Sequence, residues 1–485
     1  MQPMTPTGDT SRPLPLAGRR VAVAGLARTG SALVRFLLAR GAEVVVSDRR
    51  RREEIGAPAE EARLLGAALH LGGHDEAVLA SADLVVVSPG VPLALPVLQA
   101  ARLRGVPVIA EVELAWQHLQ GRVAGITGSN GKSTTTALAG AMLTASGLPA
   151  RVCGNIGTPL VEMVEGDSAA SVYAVELSSF QLEGIVHFRP HVAVVVNLSP
   201  DHLDRYANYD AYVAAKARIF MNQRSGDLAI LNAADRDSAR LRGSVRCRLR
   251  EFSSTGPVPD GAFVRNDEIV LAGDGGTRPL LPVSEVPLPG AHNIENVLAA
   301  ALAALHLGAT PEGIRAGVAT FHALPHRLEP VGRVGGVDWF NDSKATNVDA
   351  TAKALAAFPN RRIHLILGGR DKGGDFGSLA PLLAPDRVAA VLLIGEAAAT
   401  IERQLGAAAP CVPCGDLAAA VMRARSLARP GDVVLLAPAC ASFDQYRNYE
   451  ERGEHFRSLV AGLAGSAGQD GGSSGPAAPR GGTRS

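Results

Sequence analysis

Lysine is scarce in this 485-residue chain: of its 48 Lys and Arg residues, only Lys132, Lys216, Lys344, Lys353 and Lys372 are lysine. Arginine is the default surface cation here, so each lysine raises the question of what a compact ammonium does that a guanidinium does not. Cysteine is scarce too. Cys153, Cys247, Cys411, Cys414 and Cys440 are too few and too scattered for a disulfide framework. Cys411-Val-Pro-Cys414 lacks the second pair of a metal site, so reduced thiols beside a turn are expected. Net charge is nearly absent. A formal +1 argues against a nucleic-acid-coating or membrane-surface role, while leaving room for a local basic cleft. No run reaches the ~18 apolar residues that a bilayer span needs. The opening MQPMTPTGDTSRP has no apolar core, so no secretory signal is expected there, and a cytoplasmic location follows.

What is present is the profile of a globular protein, 47% hydrophobic and 20% charged, with length enough for roughly three domains. Val21–Ala24, the glycine turn Gly25 to Gly30, the helical period of Ser31–Arg40 and the strand Ala42–Val46 with Asp48 beyond it make a strand–turn–helix–strand unit. Leu84–Val87, ending in Ser88-Pro89-Gly90, and Val106–Ala110 continue the pattern. A second α/β block opens at Val123–Thr127, with further strands at Val172–Glu176, His191–Asn197 and Asp227–Leu231. Residues 246–286 read as a small antiparallel extension, Asn293–Leu307 as a helix and Ala323–Arg327 as a linker. A third block has strands at Ile363–Leu367, Val388–Ile394 and Val433–Ala437. The expected division is a flexible tail over 1–17, domains over 18–115, 116–325 and 326–464, and a Gly/Ser/Pro-rich disordered tail over 465–485.

The sharpest local signal is Gly128-Ser129-Asn130-Gly131-Lys132-Ser133-Thr134, between an apolar strand and a helix. Glycines let backbone N–H groups face phosphate oxygens, Lys132 adds a point charge, and Ser133 or Thr134 can ligate Mg²⁺. Ile126 stands where the phosphate-loop pattern has its first glycine. The turn at Gly25 to Gly30 holds two of three fingerprint glycines, with Ala27 in the middle; with Asp48 it suits NAD, a nucleoside diphosphate or a plain turn. Glu176 ends a strand and offers a hard oxygen for Mg²⁺, or is a surface carboxylate. Asp201, His202 and Asp204 follow another strand, as a loop hydrogen bond or a second cation site. Lys216 lies on the amphipathic stretch Tyr212–Phe220, where a lysine stem ordinarily covers apolar surface. Asn293 and Asn296 open a helix, and Asn293 is expected to cap it. Arg327 follows a linker proline and could reach a phosphate. Asp342-Ser-Lys344-Ala-Thr346, Gly368 to Lys372 and Ala441 to Tyr449 all follow strands, where sites in parallel sheets form.

In order, GITGSNGKSTT, GNIGTP, ELSSFQLE, NLSPDHLDRY, AHNIENVLAA, HRLEPV, NDSKATN, LGGRDKG and APACASFDQYRNYEERG span nearly all of residues 18–464. On these blocks the chain resembles the Mur ligase family, and NDSKATN and ACASFDQ resemble the member that adds D-glutamate to UDP-N-acetylmuramoyl-L-alanine in peptidoglycan synthesis. The resemblance implies three successive parallel-sheet α/β domains: a Rossmann-like UDP domain, a P-loop ATPase domain and a mobile, Rossmann-like C-terminal domain. It implies UDP rather than NAD in the first, held by Arg28, Thr29, Asp48, Ser88 and Gly90. By the same resemblance Lys132, Glu176, His202 and Lys216 serve catalysis. Asn155 contacts the acyl substrate. Gly128 to Thr134, Asn293, Asn296, Arg327 and Asp342 bind ATP, and Lys344, Thr346, Lys372, Ser442 and Tyr449 bind D-glutamate.

The resemblance further implies two Mg²⁺ ions, at Ser133, Glu176, His202 and Lys216, the lysine being carbamylated by CO₂, which an arginine could not be. It implies a monomer with small-molecule substrates and no nucleic-acid or membrane partner. Competing readings are another Mur ligase or a folylpolyglutamate synthase-like ligase with a different acceptor, a non-catalytic nucleotide-binding module, and an NAD-dependent oxidoreductase.

Overall fold

The structure is a computed structural model and describes residues 14–203 and 205–467. Asp204, the expected N-terminal tail up to residue 13 and the expected C-terminal tail from residue 468 lie outside the described residues. The chain divides between Phe321 and His322 into two compact units, four residues before the boundary expected at 325/326.

The first unit holds two sheets. β1 (Arg20–Ala24), β2 (Glu43–Asp48), β3 (Ala68–Leu71), β4 (Leu84–Val87) and β5 (Val108–Ala110) form an all-parallel sheet in the order β3-β2-β1-β4-β5. Val21 to Ala24 are wholly buried, because helices cover both faces of a parallel sheet and its central strands become continuous apolar runs. Chain direction across the sheet reverses between β1 and β4, which opens a crevice beyond their carboxyl ends.

The second sheet has nine strands, in the order β14-β13-β12-β11-β10-β9-β6-β8-β7. These are β6 (Arg122–Thr127), β7 (Ala150–Gly154), β8 (Val172–Glu176), β9 (Val192–Val195), β10 (Leu228–Asn232), β11 (Arg248–Ser253), β12 (Gly261–Arg265), β13 (Glu268–Gly273) and β14 (Gly276–Pro282). The antiparallel extension is shorter than the sequence suggests. β11 still pairs parallel with β10, and antiparallel pairing starts only between β12 and β13. β6 lies between β8 and β9, so the turns after all three open side by side.

The two sheets are joined through the helix Glu111–Gln117, whose Glu111 and Glu113 are buried. Glu111 accepts the Val161 backbone N–H at 2.7 Å, and Glu113 accepts those of Val186 and Phe188 at 2.8 Å. The other Glu111 oxygen has no hydrogen-bond partner. Burial raises the Glu111 carboxyl to about 7 against these backbone bonds.

The second unit carries the third sheet, β15-β16-β20-β17-β18-β19. Its strands are β15 (Glu329–Val334), β16 (Val337–Asn341), β17 (Ile363–Gly368), β18 (Val388–Ile394), β19 (Cys411–Gly415) and β20 (Val433–Leu436). All neighbours are parallel except β15 with β16. Cys411 and Cys414 sit on the edge strand β19 rather than beside a turn, and both are free thiols. The final helix, Tyr449–Ala467, runs three residues beyond the expected domain end at 464. Among the described residues, no helix is long and apolar enough to cross a membrane.

Candidate functional site

The turn after β6 is shaped by its glycines and by asparagines from other elements. Gly131 has φ +79° and caps the helix Lys132–Ala145; a Cβ there would collide with Asn296 Oδ1. Asn197, at the end of the β9 run, accepts the Asn130 N–H at 2.8 Å and donates to the Asn130 carbonyl at 3.1 Å. Asn296 accepts from Thr135 Oγ1 at 3.1 Å and donates to Asn293 Oδ1 at 3.0 Å. Asn293 is not the expected cap. Gly290 occupies that position, and Asn293 Nδ2 instead donates to the Pro289 carbonyl at 2.7 Å. The pair braces the phosphate-type loop from the neighbouring helix. Ser133 and Thr134 are buried in the first turn, where backbone N–H groups and the helix dipole favour an anion.

Two lysines meet at this loop. Lys132 Nζ donates to the Gly128 carbonyl at 2.9 Å and to that of Ser129 at 2.8 Å. Lys216 Nζ donates to the same Gly128 carbonyl at 2.8 Å and reaches Thr127 Oγ1 at 3.4 Å. Lys216 is therefore not a stem over apolar surface. It is 1% exposed, with its amine 4.7 Å from the Tyr212 ring centre. Burial, then the nearby Lys132 charge, push it far below the ordinary lysine value, toward a neutral amine.

Glu176, at the end of β8, is also buried rather than a surface carboxylate. One oxygen accepts from Asn155 Nδ2 at 2.7 Å; the other is buried without a hydrogen-bond partner. His202 lies at φ +55°, with its ring edge-on to Phe180 at 4.9 Å and its Nε2 3.7 Å from Asp201. Among the described residues, no three His, Cys, Asp or Glu side chains form a self-contained metal cage. A divalent ion here would need oxygens from a ligand as well, as Mg²⁺ on a nucleotide does.

Beyond β1 and β4 of the same unit lies a cavity of about 650 Å³ whose lining includes Arg28, Thr29, Asp48, Ser88, Gly90 and Asn155. Asp48 is buried, which by itself would raise its pKa. Arg50 at 2.8 Å and the N–H groups of Leu26 (2.7 Å) and Arg50 (2.9 Å) outweigh that and lower it. Ser88 Oγ donates to the Gly25 carbonyl at 2.8 Å, tying the two switch-point turns together. Gly30 is required by close approach: a Cβ would strike the Gly25 carbonyl. Arg28 donates to the Gly157 carbonyl at 2.5 Å, so the cavity wall includes the second sheet's Gly154–Pro159 turn. Arg49, Arg50 and His74 also line it and were not singled out from sequence. The arginine-rich run after Asp48 was the available signal.

In the second unit, the turns after β16, β17 and β20 adjoin. Lys344 Nζ donates to the Tyr449 hydroxyl at 2.5 Å and lies 4.2 Å from that ring's centre. The Thr346 N–H donates to the Lys344 carbonyl at 2.8 Å. The turn holding Lys372 is bridged to that holding Ser442 by reciprocal Arg370–Ala441 backbone bonds of 2.8 and 3.0 Å. Burial raises the Asp342 carboxyl to about 7, although the Arg327 charge and the Leu328 N–H oppose the shift.

Three family models match: "Mur ligase MurD-like, N-terminal domain" over residues 19–110, "Mur ligase middle domain" over 126–304, and "Mur ligase, glutamate ligase domain" over 326–440. The chain is 48% identical to the UDP-N-acetylmuramoylalanine–D-glutamate ligase of Acidobacterium capsulatum, over 93% of this chain and 98% of that protein. It is 51% identical to the ligase of the same name from Anaeromyxobacter dehalogenans, over 92% and 98%. Among solved structures it resembles MurF from Acinetobacter baumannii (TM-score 0.59, 18% identity, 92% of this chain and 93% of that one). A pseudomurein peptide ligase type C from Methanothermus fervidus is similar in fold (TM-score 0.57, 19% identity, 92% and 100%).

Proposed function

The chain belongs to the Mur ligase family, ATP-dependent enzymes that form amide bonds, and from that premise we propose that it joins D-glutamate to UDP-N-acetylmuramoyl-L-alanine in peptidoglycan precursor synthesis. The observation that carries the chemistry is the pair of lysines on one carbonyl, Lys132 and the buried Lys216, beside the half-satisfied Glu176.

A carboxylate is a poor electrophile. An oxygen of the alanine carboxylate therefore attacks the γ-phosphorus of ATP, and the bond to ADP breaks. The amine of D-glutamate then attacks the acyl carbon, loses a proton and expels phosphate. Both steps gather negative charge on transferring oxygens, so fixed cations and N–H groups carry the catalysis. Lys132 and the N–H groups of Gly128 to Thr134 hold the β- and γ-phosphates. The unpartnered Glu176 oxygen and the Ser133 hydroxyl would hold one Mg²⁺ and His202 a second, and such ions would neutralise the phosphate oxygens. Lys216, whose charged form is disfavoured by burial, can in its neutral form make an N–C bond to CO₂ and release a proton, and the resulting carbamate would supply a further oxygen for the second ion.

The cavity beyond β1 and β4 is assigned to the uridine diphosphate, held by Arg28, Thr29, Asp48, Ser88 and Gly90, with Asn155 toward the acyl end. Asn293, Asn296, Arg327 and Asp342 are assigned to ATP. Lys344, Thr346, Lys372, Ser442 and Tyr449 are assigned to D-glutamate, whose two carboxylates suit two ammoniums. The enzyme acts as a cytoplasmic monomer.

The test is phosphate release with Mg-ATP and bicarbonate, omitting each substrate in turn. Release that needs both UDP-N-acetylmuramoyl-L-alanine and D-glutamate is expected, with none from L-glutamate or meso-diaminopimelate. Turnover with another acceptor would retain the phosphoryl chemistry and remove the D-glutamate assignment.

A further inference from the structure

Arg452 is among the largest wholly buried side chains, at 1% exposure, in the first turn of the helix Tyr449–Ala467. Three physical costs attach to it there. A guanidinium loses its hydration on burial. It stands at the positive end of a helix dipole. Among the described residues, no carboxylate lies within ion-pair distance of it. Burial lowers its pKa only to about 10, so it stays charged at neutral pH.

Four hydrogen bonds tie it to turns. Arg452 Nε donates to Ser343 Oγ at 3.0 Å, and Nη2 to the Ser343 carbonyl at 2.8 Å. Nη1 and Nη2 both reach the Cys440 carbonyl at 3.3 Å. Ser343 Oγ in turn donates to the Tyr449 carbonyl at 2.8 Å. Gly369, in the turn after β17, passes so close that a Cβ would lie 3.2 Å from Nη1. One planar fork thus hydrogen-bonds the turns after β16 and β20 and lies close beside the turn after β17. Those turns carry Lys344, Lys372 and Ser442, and the helix start carries Tyr449.

Neutral donors could satisfy two carbonyls and a hydroxyl without these costs. A fixed positive charge under three turns is useful where a dianionic ligand binds above them, because the surrounding low dielectric strengthens its field. We propose that Arg452 is the positioning residue of the amino-acid acceptor site, locking the three turns in register and adding a buried positive charge beneath the carboxylates of the incoming amino acid. This rests on the D-glutamate reading given above.

The experiment measures KM for D-glutamate, ATP and UDP-N-acetylmuramoyl-L-alanine in Arg452→Lys, Arg452→Met, Lys344→Ala and, as a packing control, Phe456→Leu. Phe456 is buried in the same helix and packs into the apolar core on that face of the sheet. Arg452→Lys keeps the charge and loses the fork. It is expected to raise KM for D-glutamate about tenfold, with the other two KM values within about twofold of wild type. Arg452→Met, losing both, should raise it further; if it does not fold, Arg452→Lys decides alone. Unchanged KM for D-glutamate in folded Arg452→Lys would overturn the proposal, as would an equal, selective rise in Phe456→Leu. If Lys344→Ala also leaves KM for D-glutamate unchanged, the underlying acceptor-site reading fails. If Lys344→Ala raises it and Arg452→Lys does not, only the role of Arg452 falls.

Discussion

Among the described residues, each unit buries one Lys or Arg without an ion-pair partner, and the two behave differently. Lys216 and Arg452 are both 1% exposed, and both spend their protons on backbone carbonyls and hydroxyls. Burial drives the lysine toward a neutral amine, helped by Lys132 on the same carbonyl. The guanidinium starts from so high a pKa that it stays charged. The same desolvation therefore favours the neutral form of one cation and leaves the other charged. In a chain that otherwise uses arginine for its cations, that is a physical reason for lysine at 216 and arginine at 452.

The largest effect expected from breaking this contrast is Lys216→Arg. An arginine there keeps its proton and cannot take up CO₂, so phosphate release should fall by about 10³ or more. Added bicarbonate should stimulate the wild type and leave the variant unmoved; substantial turnover by the variant would remove the distinction between the two cations. Next comes stability on the other side. Arg452→Met strands the Ser343 and Cys440 carbonyls, and urea unfolding should show a loss of about 2–4 kcal/mol.

A buried acid sharpens the comparison. Glu111 has its folded pKa raised from 4.5 to about 7, so the folded state binds the extra proton between those values and its stability falls as pH rises through that window. Glu111→Gln should therefore be more stable than wild type by up to about 3 kcal/mol at pH 8, with the difference gone below pH 4.5. An equal gap at both pH values would show that the carboxyl is not titrating.

The smallest effect is a slope. Because the folded state holds Lys216 with its pKa lowered, the unfolded chain binds more protons below the free lysine value, and wild-type stability gains from rising pH until that value is reached. Relative to Lys216→Met in bicarbonate-free buffer, wild type should gain stability as pH rises toward the free lysine value. A flat difference would mean that Lys216 stays protonated in the fold.

Much of this architecture was legible in the residues. Strands buried on both faces, such as β1, β4, β17 and β20, are continuous apolar runs bounded by glycine turns, and they stand within a residue or two of their expected places. The edge strands β3, β7, β15 and β19 were missed. Each is half exposed, and β19 contains Pro413, so apolar periodicity is weak there. The phosphate-type loop was readable because its glycines, lysine and hydroxyls are contiguous. Asn293 was misplaced as a cap because helix starts in sequence carry no sign of the preceding turn. Gly290 begins the helix and leaves Asn293 one turn inside, beside Asn296. Arg452 lay in a quoted block without a role, since nothing local distinguishes a buried arginine from 42 others.

By itself, then, the order of residues settled the α/β class, the position of the phosphate-type loop and the family, because these rest on contiguous motifs and local periodicity. Only the tertiary structure decided that Lys216 and Glu176 are buried, that two lysines share the Gly128 carbonyl, and that Arg452 lies under three turns. Those are consequences of long-range packing. Lys216 meets Gly128 across 88 residues of chain and Arg452 meets Ser343 across 109, and desolvation, which sets the charge each group carries, exists only once such distant segments have closed around it.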